Sequence, residues 1–159
     1  MHASPFSLRS ALCALTLLVA TTAPLQAEVE GNVFPPTLAY APTPNTSINL
    51  SGVTVIGSSG SAQITVSAVG GMGSGTLATM GLSCTYTGPD AGFFSVAPPM
   101  QSFLPGSPPG TLALGCTSGF GPRTATLICS ESPGGSTGQT RTWPVTCPAG
   151  QLPRAPDLS

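Results

Sequence analysis

Short runs of alternating apolar and polar residues fill the middle of this chain, and Gly, Pro and Ser residues separate one run from the next. The clearest run extends from Thr79 to Tyr86, and every second residue from Met80 onward is apolar or aromatic. A period of two places successive side chains on opposite faces of a β-strand. Because no helical apolar repeat persists for ten residues in this region, the pattern predicts an all-β domain with one face of each strand buried.

The number of such runs predicts a sandwich of two sheets with about seven strands, for which about 100 residues suffice. Besides the run at Met80, the apolar positions are Val53 and Val55; Ile64, Val66 and Ala68; Phe93 to Val96; Leu112, Leu114 and Cys116; Ala125, Leu127 and Cys129; and Trp143, Val145 and Cys147. Pro144 lies in the last run and cannot donate a backbone hydrogen bond. We therefore expect that strand at a sheet edge.

The N-terminal residues read as a secretory signal peptide. Arg9 supplies a positive charge, and the apolar stretch from Ala11 to Ala20 is too short to span a bilayer. Cleavage after Ala27 is favoured, which makes residues 1–27 the signal peptide. After its removal, no segment is apolar enough to insert into a membrane, so we expect an exported protein in the periplasm, the extracellular space or at the cell surface.

Proline marks both ends of the remaining chain. Residues 28–45 contain Pro35, Pro36, Pro42 and Pro44, a density that resists helices and central strands. We predict that residues 28–45 form an extended leader, that residues 46–150 form the sandwich, and that residues 151–159 form a flexible tail.

Charged residues are scarce. The sequence contains no lysine, and its only histidine, His2, belongs to the predicted signal peptide. The remaining cations are Arg123, Arg141 and Arg154. Nucleic acids and anionic membranes bind clustered Lys and Arg, so neither is expected as a partner.

The same scarcity argues against catalysis. Without His or Lys, the mature chain cannot build Ser-His-Asp, Ser-Lys or Cys-His sites. Asp90 and Glu131 leave a paired-carboxylate glycosidase as a formal alternative. The better interpretation places Asp90 in a turn and pairs Glu131 with Arg141 on the surface of a hairpin. We expect no enzyme, no cofactor and no metal site.

Four cysteines remain after the predicted cleavage, and all lie at inward positions of their strands: Cys84, Cys116, Cys129 and Cys147. An exported chain would join them in two buried disulfides. Zinc is the rival interpretation, but 31, 12 and 17 residues intervene between successive cysteines, so no two of them form a close pair. A hairpin that places Cys129 opposite Arg141 disfavours a bridge from Cys129 to Cys147, although a bulge would permit it. The pairing therefore stays open.

Several motifs, taken in order, resemble a known family. They are the segments 84–94, 103–106 and 121–127, with 36–42 as an opening strand and 140–150 as a closing strand. The chain resembles the immunoglobulin-like repeats of bacterial choice-of-anchor and IPTL-sorted surface proteins, which are distantly similar to ASPM/SPD-2/Hydin domains. The resemblance implies a seven-stranded immunoglobulin-like sandwich, displayed outside the cytoplasm of a Gram-negative bacterium and without catalysis.

These observations favour an exported, non-catalytic structural or adhesive module that acts as a monomer and contacts an unidentified envelope protein or glycan. The alternative is a small carbohydrate- or protein-binding domain that uses loops such as 70–75 and 98–109. Phe93 and Phe94 could serve a ligand surface, whereas Trp143 is expected in the core. A pilin-like subunit completed by a neighbour's strand is disfavoured because the chain carries its own final strand.

Overall fold

The computed structural model of the chain describes residues 36–70, 79–133 and 138–154. Apart from one short 3-10 helix, its regular elements are β-strands, which confirms the predicted all-β class. The strands are β1 (Thr37–Ala41), β2 (Ile48–Asn49), β3 (Ser59–Val69), β4 (Met80–Thr87), β5 (Phe94–Ala97), β6 (Met100–Phe103), β7 (Gly110–Thr117), β8 (Arg123–Pro133) and β9 (Thr140–Cys147), and the 3-10 helix is Ala91–Phe93.

The strands form two sheets that pack face to face. One sheet has four strands in the order β1-β3-β7-β5, and the other has five in the order β2-β9-β8-β4-β6. All strand pairs are antiparallel except β2 with β9. The chain changes sheets between β5 and β6 through Pro98 and Pro99. The predicted two-sheet sandwich is therefore confirmed.

The alternating apolar side chains meet between the sheets, as the two-residue period predicts. Trp143 lies at the centre of this core and has 0% of its surface exposed. Its indole Nε1–H donates a hydrogen bond to the carbonyl of Pro42 at 3.1 Å. The ring of Tyr40 packs edge-on against it with centroids 5.2 Å apart. A buried tryptophan needs a partner for its N–H, and the chain after β1 supplies one.

The predicted first strand at Val53 and Val55 is wrong. That segment is not a regular strand, and Val55 makes only an isolated bridge to Gln151. The core positions are instead filled just upstream by Ile48 and Leu50, beside β9. Gly52, with a φ of +92°, then turns the chain away, a conformation that favours glycine.

The predicted leader at residues 28–45 does not lie wholly outside the sandwich. Within it, β1 pairs with β3 and buries Leu38 and Tyr40. Proline is tolerated because β1 is an edge strand and because Pro36 and Pro42 flank it without interrupting it. Residues 28–35, like the predicted signal peptide, lie outside the described residues.

The edge position predicted for the last strand is also wrong, since β9 lies between β2 and β8. The backbone groups of alternate residues point to the same side of a strand. The carbonyls of Thr142 and Thr146 accept hydrogen bonds from Asn45 and Leu50, so the nitrogen of Pro144 faces the β2 side as well. That side carries a partner strand of only two residues, which is why proline fits there.

Gly60 lies directly opposite Cys116 in the pairing of β3 with β7. A Cβ at this position would lie 2.9 Å from Sγ of Cys116 and 3.0 Å from Cγ2 of Val53. Both neighbours are packed, so neither can move aside without disturbing the core.

We predict that Gly60→Ala lowers the free energy of unfolding by about 1–3 kcal/mol, because overpacking a closed site strains its neighbours. Urea unfolding at neutral pH measures the change. Gly121→Ala is the matched control, since a Cβ at Gly121 would meet no atom within 4 Å. Equal stability of the two variants would contradict the prediction.

Candidate functional site

The four predicted cysteines form two disulfides inside the sandwich. Cys84 and Cys129 are cross-strand neighbours in the five-stranded sheet, and their Cα atoms are 4.1 Å apart. Cys116 and Cys147 join β7 of one sheet to β9 of the other, with a Cα separation of 6.1 Å. The disfavoured bridge from Cys129 to Cys147 is not formed. All four side chains are buried, so these bonds stabilise the core and are closed to solvent.

Glu131 is buried, contrary to the predicted surface ion pair. Only 5% of its surface is exposed. Its Oε1 accepts hydrogen bonds from the Tyr40 hydroxyl and from Nε of Arg141, each at 2.8 Å. Arg141 also donates a hydrogen bond to Oε1 of Gln139. Arg141 lies opposite Cys129 in the pairing of β8 with β9, as predicted. However, β1 folds over Glu131 and Arg141 and encloses the carboxylate.

This cluster controls the ionisation of Tyr40. Burial raises the pKa of Tyr40, and the hydrogen bond to Glu131 and the negative charge of that carboxylate raise it further. The hydrogen bond to Glu131 also raises the pKa of Arg141. Every group in the cluster has a partner within it, which indicates a structural role.

Asp90 and Glu131 cannot act as a catalytic pair. Oδ2 of Asp90 accepts a hydrogen bond from the backbone N–H of Thr124 at 3.0 Å, so Asp90 lies beside the start of β8 and stabilises a turn. Glu131 lies on β8 seven residues beyond Thr124, which corresponds to about 23 Å at about 3.3 Å per residue. Glycosidase carboxylates lie about 5–9.5 Å apart.

One end of the sandwich carries both a groove and exposed apolar side chains, and we call it the Phe93 end. It comprises residues 50–58, the 3-10 helix, the loop 118–122 and residues 148–152. Backbone hydrogen bonds hold these segments together: Ser118 donates to Ser58 at 3.0 Å, and Gly150 donates to Gly119 at 3.0 Å. The Phe93 end is therefore a firm platform although most of it is loop.

A groove of about 430 Å³ opens at this end, on the outer face of the four-stranded sheet. We call it the Phe93 groove; its lining includes Ser59, Ser61, Phe93, Ser95, Gly115 and Thr117. Gly115 lies between Ser61 and Ser95 in the cross-strand register. A Cβ on Gly115 would lie 2.6 Å from Oγ of Ser95, so the hydroxyl of Ser95 occupies the space that a side chain at 115 would need.

Arg123 fixes the orientation of the Phe93 ring. The guanidinium carbon lies 3.2 Å from the ring centroid, a cation–π contact. Arg123 is not among the residues that line the groove. Its Nη1 is buried without a hydrogen-bond partner among the described residues. Phe93 itself is 45% exposed.

Other apolar side chains are exposed at the same end. Phe120 is 83% exposed, Leu152 is largely exposed, and Val55 is exposed to about the same degree as Phe93. None of the three lines the Phe93 groove. They give the Phe93 end an apolar margin and offer well-matched positions for control substitutions.

The predicted ligand-binding loops supply no described residue to the Phe93 groove. Residues 71–75 lie outside the described residues. The segment 98–109 contains β6, and Met100, Gln101 and Ser102 line a separate depression of about 280 Å³ on the outer face of the five-stranded sheet. The hydroxyls of the Phe93 groove come from Ser and Thr residues at outward positions of β3, β5 and β7.

The described part of the chain has neither a metal-binding cluster nor a membrane-spanning helix. No group of three or more His, Cys, Asp or Glu side chains there could hold a metal ion. No helix there is long and apolar enough to cross a membrane.

No protein-family model matches the sequence, and neither does any curated protein. Among solved structures, the periplasmic chaperone SfaE is similar at a TM-score of 0.50 and 10% identity, over 76% of this chain and 62% of that chain. A PapD-like (ASH) domain of human CEP192 is similar at a TM-score of 0.47 and 14% identity, over 76% of this chain and 87% of that chain. SSP-19, an MSP-domain-like protein of Caenorhabditis elegans, is similar at a TM-score of 0.44 and 16% identity, over 70% of this chain and 99% of that chain.

The likeness to SfaE shows an immunoglobulin-like sandwich fold, and the chain spans less than two thirds of that protein's length. The immunoglobulin-like part of the predicted resemblance is therefore confirmed. The comparisons give no support to membership of the choice-of-anchor family.

We predict that the protein loses stability as the pH rises above about 10, the usual pKa of tyrosine. Burial raises the pKa of Tyr86 as well as that of Tyr40. The unfolded chain then releases tyrosine protons that the folded chain keeps, which favours unfolding by about 1.4 kcal/mol per pH unit and per tyrosine. The sequence has two tyrosines and no lysine, so no other side chain obscures this range.

Urea unfolding between about pH 8 and pH 11 tests whether the free energy of unfolding decreases as the pH rises. Tyr40→Phe and Tyr86→Phe should each remove about half of the decrease in the free energy of unfolding with pH. In the double variant, the free energy of unfolding should not change with pH in this range. A slope that both single variants leave unchanged would contradict the assignment.

Proposed function

We propose that this protein is an exported, non-catalytic structural or adhesive module of the bacterial envelope or the extracellular space. The observation that carries the proposal is the pair of disulfides in the core. Bonds of this kind persist in oxidising compartments and are rare in the cytoplasm. The predicted signal peptide at residues 1–27 supports the same location.

The chemistry of the described strands supports a non-catalytic role. Their outward positions carry mainly Ser and Thr, as in the cross-strand row of Met100, Ser83, Ser130 and Thr140. No charged side chain lies at an outward position of these strands. The buried Glu131 and the partly exposed Arg141 neutralise each other. Such a surface keeps a domain hydrated and gives it few groups that could transfer a proton.

The Phe93 groove favours a second candidate function, a small carbohydrate- or protein-binding domain. Binding residues are often placed on loops and rims that a rigid scaffold positions. The groove fits this description, because hydrogen-bonded loops and three paired strands hold its lining in place.

A pilin-like subunit that lacks its last strand has less support. The final strand, β9, occupies an internal position in the five-stranded sheet and pairs with β8 over eight residues. The sheet therefore does not need a strand from a neighbour.

The test is recovery of the protein from the periplasm or the medium, followed by peptide mapping under non-reducing conditions. We expect processed chains linked as Cys84–Cys129 and Cys116–Cys147. Recovery of the chain from the cytoplasm alone, or free thiols at these positions in exported material, would refute the proposal.

We also predict that each disulfide stabilises the folded state by about 3–4 kcal/mol, since the bonds close loops with sequence separations of 45 and 31 residues. The variants are Cys84→Ala with Cys129→Ala, and Cys116→Ala with Cys147→Ala, each compared with the parent by urea unfolding. Each variant keeps the other disulfide and serves as its control. A loss below about 1 kcal/mol in both would contradict a stabilising role.

A further inference from the structure

We infer that the Phe93 groove is a binding site for a neutral sugar residue of a glycan, with Phe93 as the apolar wall and the surrounding hydroxyls as hydrogen-bonding groups. This inference rests on the proposed adhesive function and names the ligand class of its surface. It also moves the site from the loops that the sequence favours to the outer face of a sheet.

The lining has the mixed character that a sugar ring requires. Ser59 and Thr117 are cross-strand neighbours, and Ser61 and Ser95 stand on either side of Gly115. Each hydroxyl can donate one hydrogen bond and accept others, as a sugar hydroxyl can. The aromatic ring of Phe93 offers a flat apolar surface to the C–H groups of a pyranose.

Size and charge favour a neutral sugar. The volume of about 430 Å³ lies within the range of small-molecule sites and accommodates one or two sugar units. None of the lining side chains carries a charge. A phosphate or carboxylate ligand would find no cation within the groove, because the guanidinium of Arg123 lies on Phe93 outside the lining.

A bound peptide strand is disfavoured by the position of the groove. Peptides that extend a sheet use free backbone groups at its edge. The groove instead crosses β3, β7 and β5, and the backbone groups between these strands are already paired. The sheet edge that it reaches is β5, a strand of only four residues. It therefore offers mainly side-chain hydroxyls and one ring.

Arg123 acts as a positioning residue for this site. Its guanidinium carbon lies 3.2 Å from the centroid of the Phe93 ring, and this cation–π contact restricts the orientations of the ring. A platform that is fixed before binding loses less entropy when the ligand arrives.

The experiment is titration of the folded, disulfide-bonded protein with cellohexaose, chitohexaose and maltohexaose, followed by amide chemical shifts in NMR spectra. We expect at least one sugar to shift the amides of residues 59–61, 92–95 and 115–117 together. Phe93→Ala should weaken that binding by about tenfold or more, since aromatic anchors dominate binding energies. Ser61→Ala with Thr117→Val removes two hydroxyls at nearly constant shape and should weaken it severalfold.

Phe120→Ala is the matched control, because Phe120 is an exposed phenylalanine of the same end that does not line the groove. It should leave the affinity unchanged, as should Ser83→Ala on the opposite sheet. Arg123→Met should weaken binding, and Arg123→Lys, which keeps a cation over the ring, should restore part of it. A loss of fold alone would not produce this rescue.

Absence of shifts at the groove amides with all three sugars at their solubility limit would overturn the inference. So would equal effects of Phe93→Ala and Phe120→Ala. Retention of an envelope protein through Phe93, with no response to sugars, would also overturn it and would assign the groove to a protein partner. In each case, export with both disulfides intact would leave the proposed function standing, so the two failures are distinguishable.

Discussion

The disulfide between Cys116 and Cys147 is the constraint on which the rest of this structure depends. It is the disulfide that joins the two sheets in the described part of the chain, and it lies at the Phe93 end. The inward side chain of Cys116 holds β7 against β9, while its neighbours Gly115 and Thr117 face outward and line the groove. The bond that closes the core thus also fixes the position of the candidate site.

The scarcity of charge has two consequences in this domain. Few ionic interactions are available for stability, so the core relies on apolar packing, the disulfides and the hydrogen-bonded cluster around Glu131. A buried carboxylate is costly unless its oxygens are satisfied, and Tyr40 from the edge strand supplies the second partner that Arg141 alone does not. The edge strand β1 is therefore tied to the opposite sheet by a polar contact as well as by its apolar side chains.

The sequence predicts those features that depend on side-chain parity alone. The alternation from Met80 to Tyr86 corresponds to β4, and the inward parity of the cysteines correctly indicates that their side chains meet in the core. What it does not reveal is how segments distant in the chain come together. The burial of Glu131 requires β1 to cross above it, and the position of β9 inside its sheet requires β2 to pair beside it. Both are tertiary contacts that no local pattern contains.

The same limit explains why the groove is hidden in the sequence. Its hydroxyls come from β3, β5 and β7, which are adjacent in the sheet although the chain runs through β4 and β6 between them. Outward Ser and Thr residues also occur on strands that form no such groove, so composition alone cannot locate the site. Only the strand order brings these hydroxyls beside Phe93.

The edges of the two sheets explain why a face, and not an edge, is the natural place for recognition here. The edge strands are short: β2 has two residues, β5 and β6 have four each, and β1 has five. Pro36 and Pro42 flank β1, and Pro98 and Pro99 separate β5 from β6. Short edges bounded by proline resist pairing with another strand. A surface that binds must then be built from side chains, which is how the Phe93 groove is made.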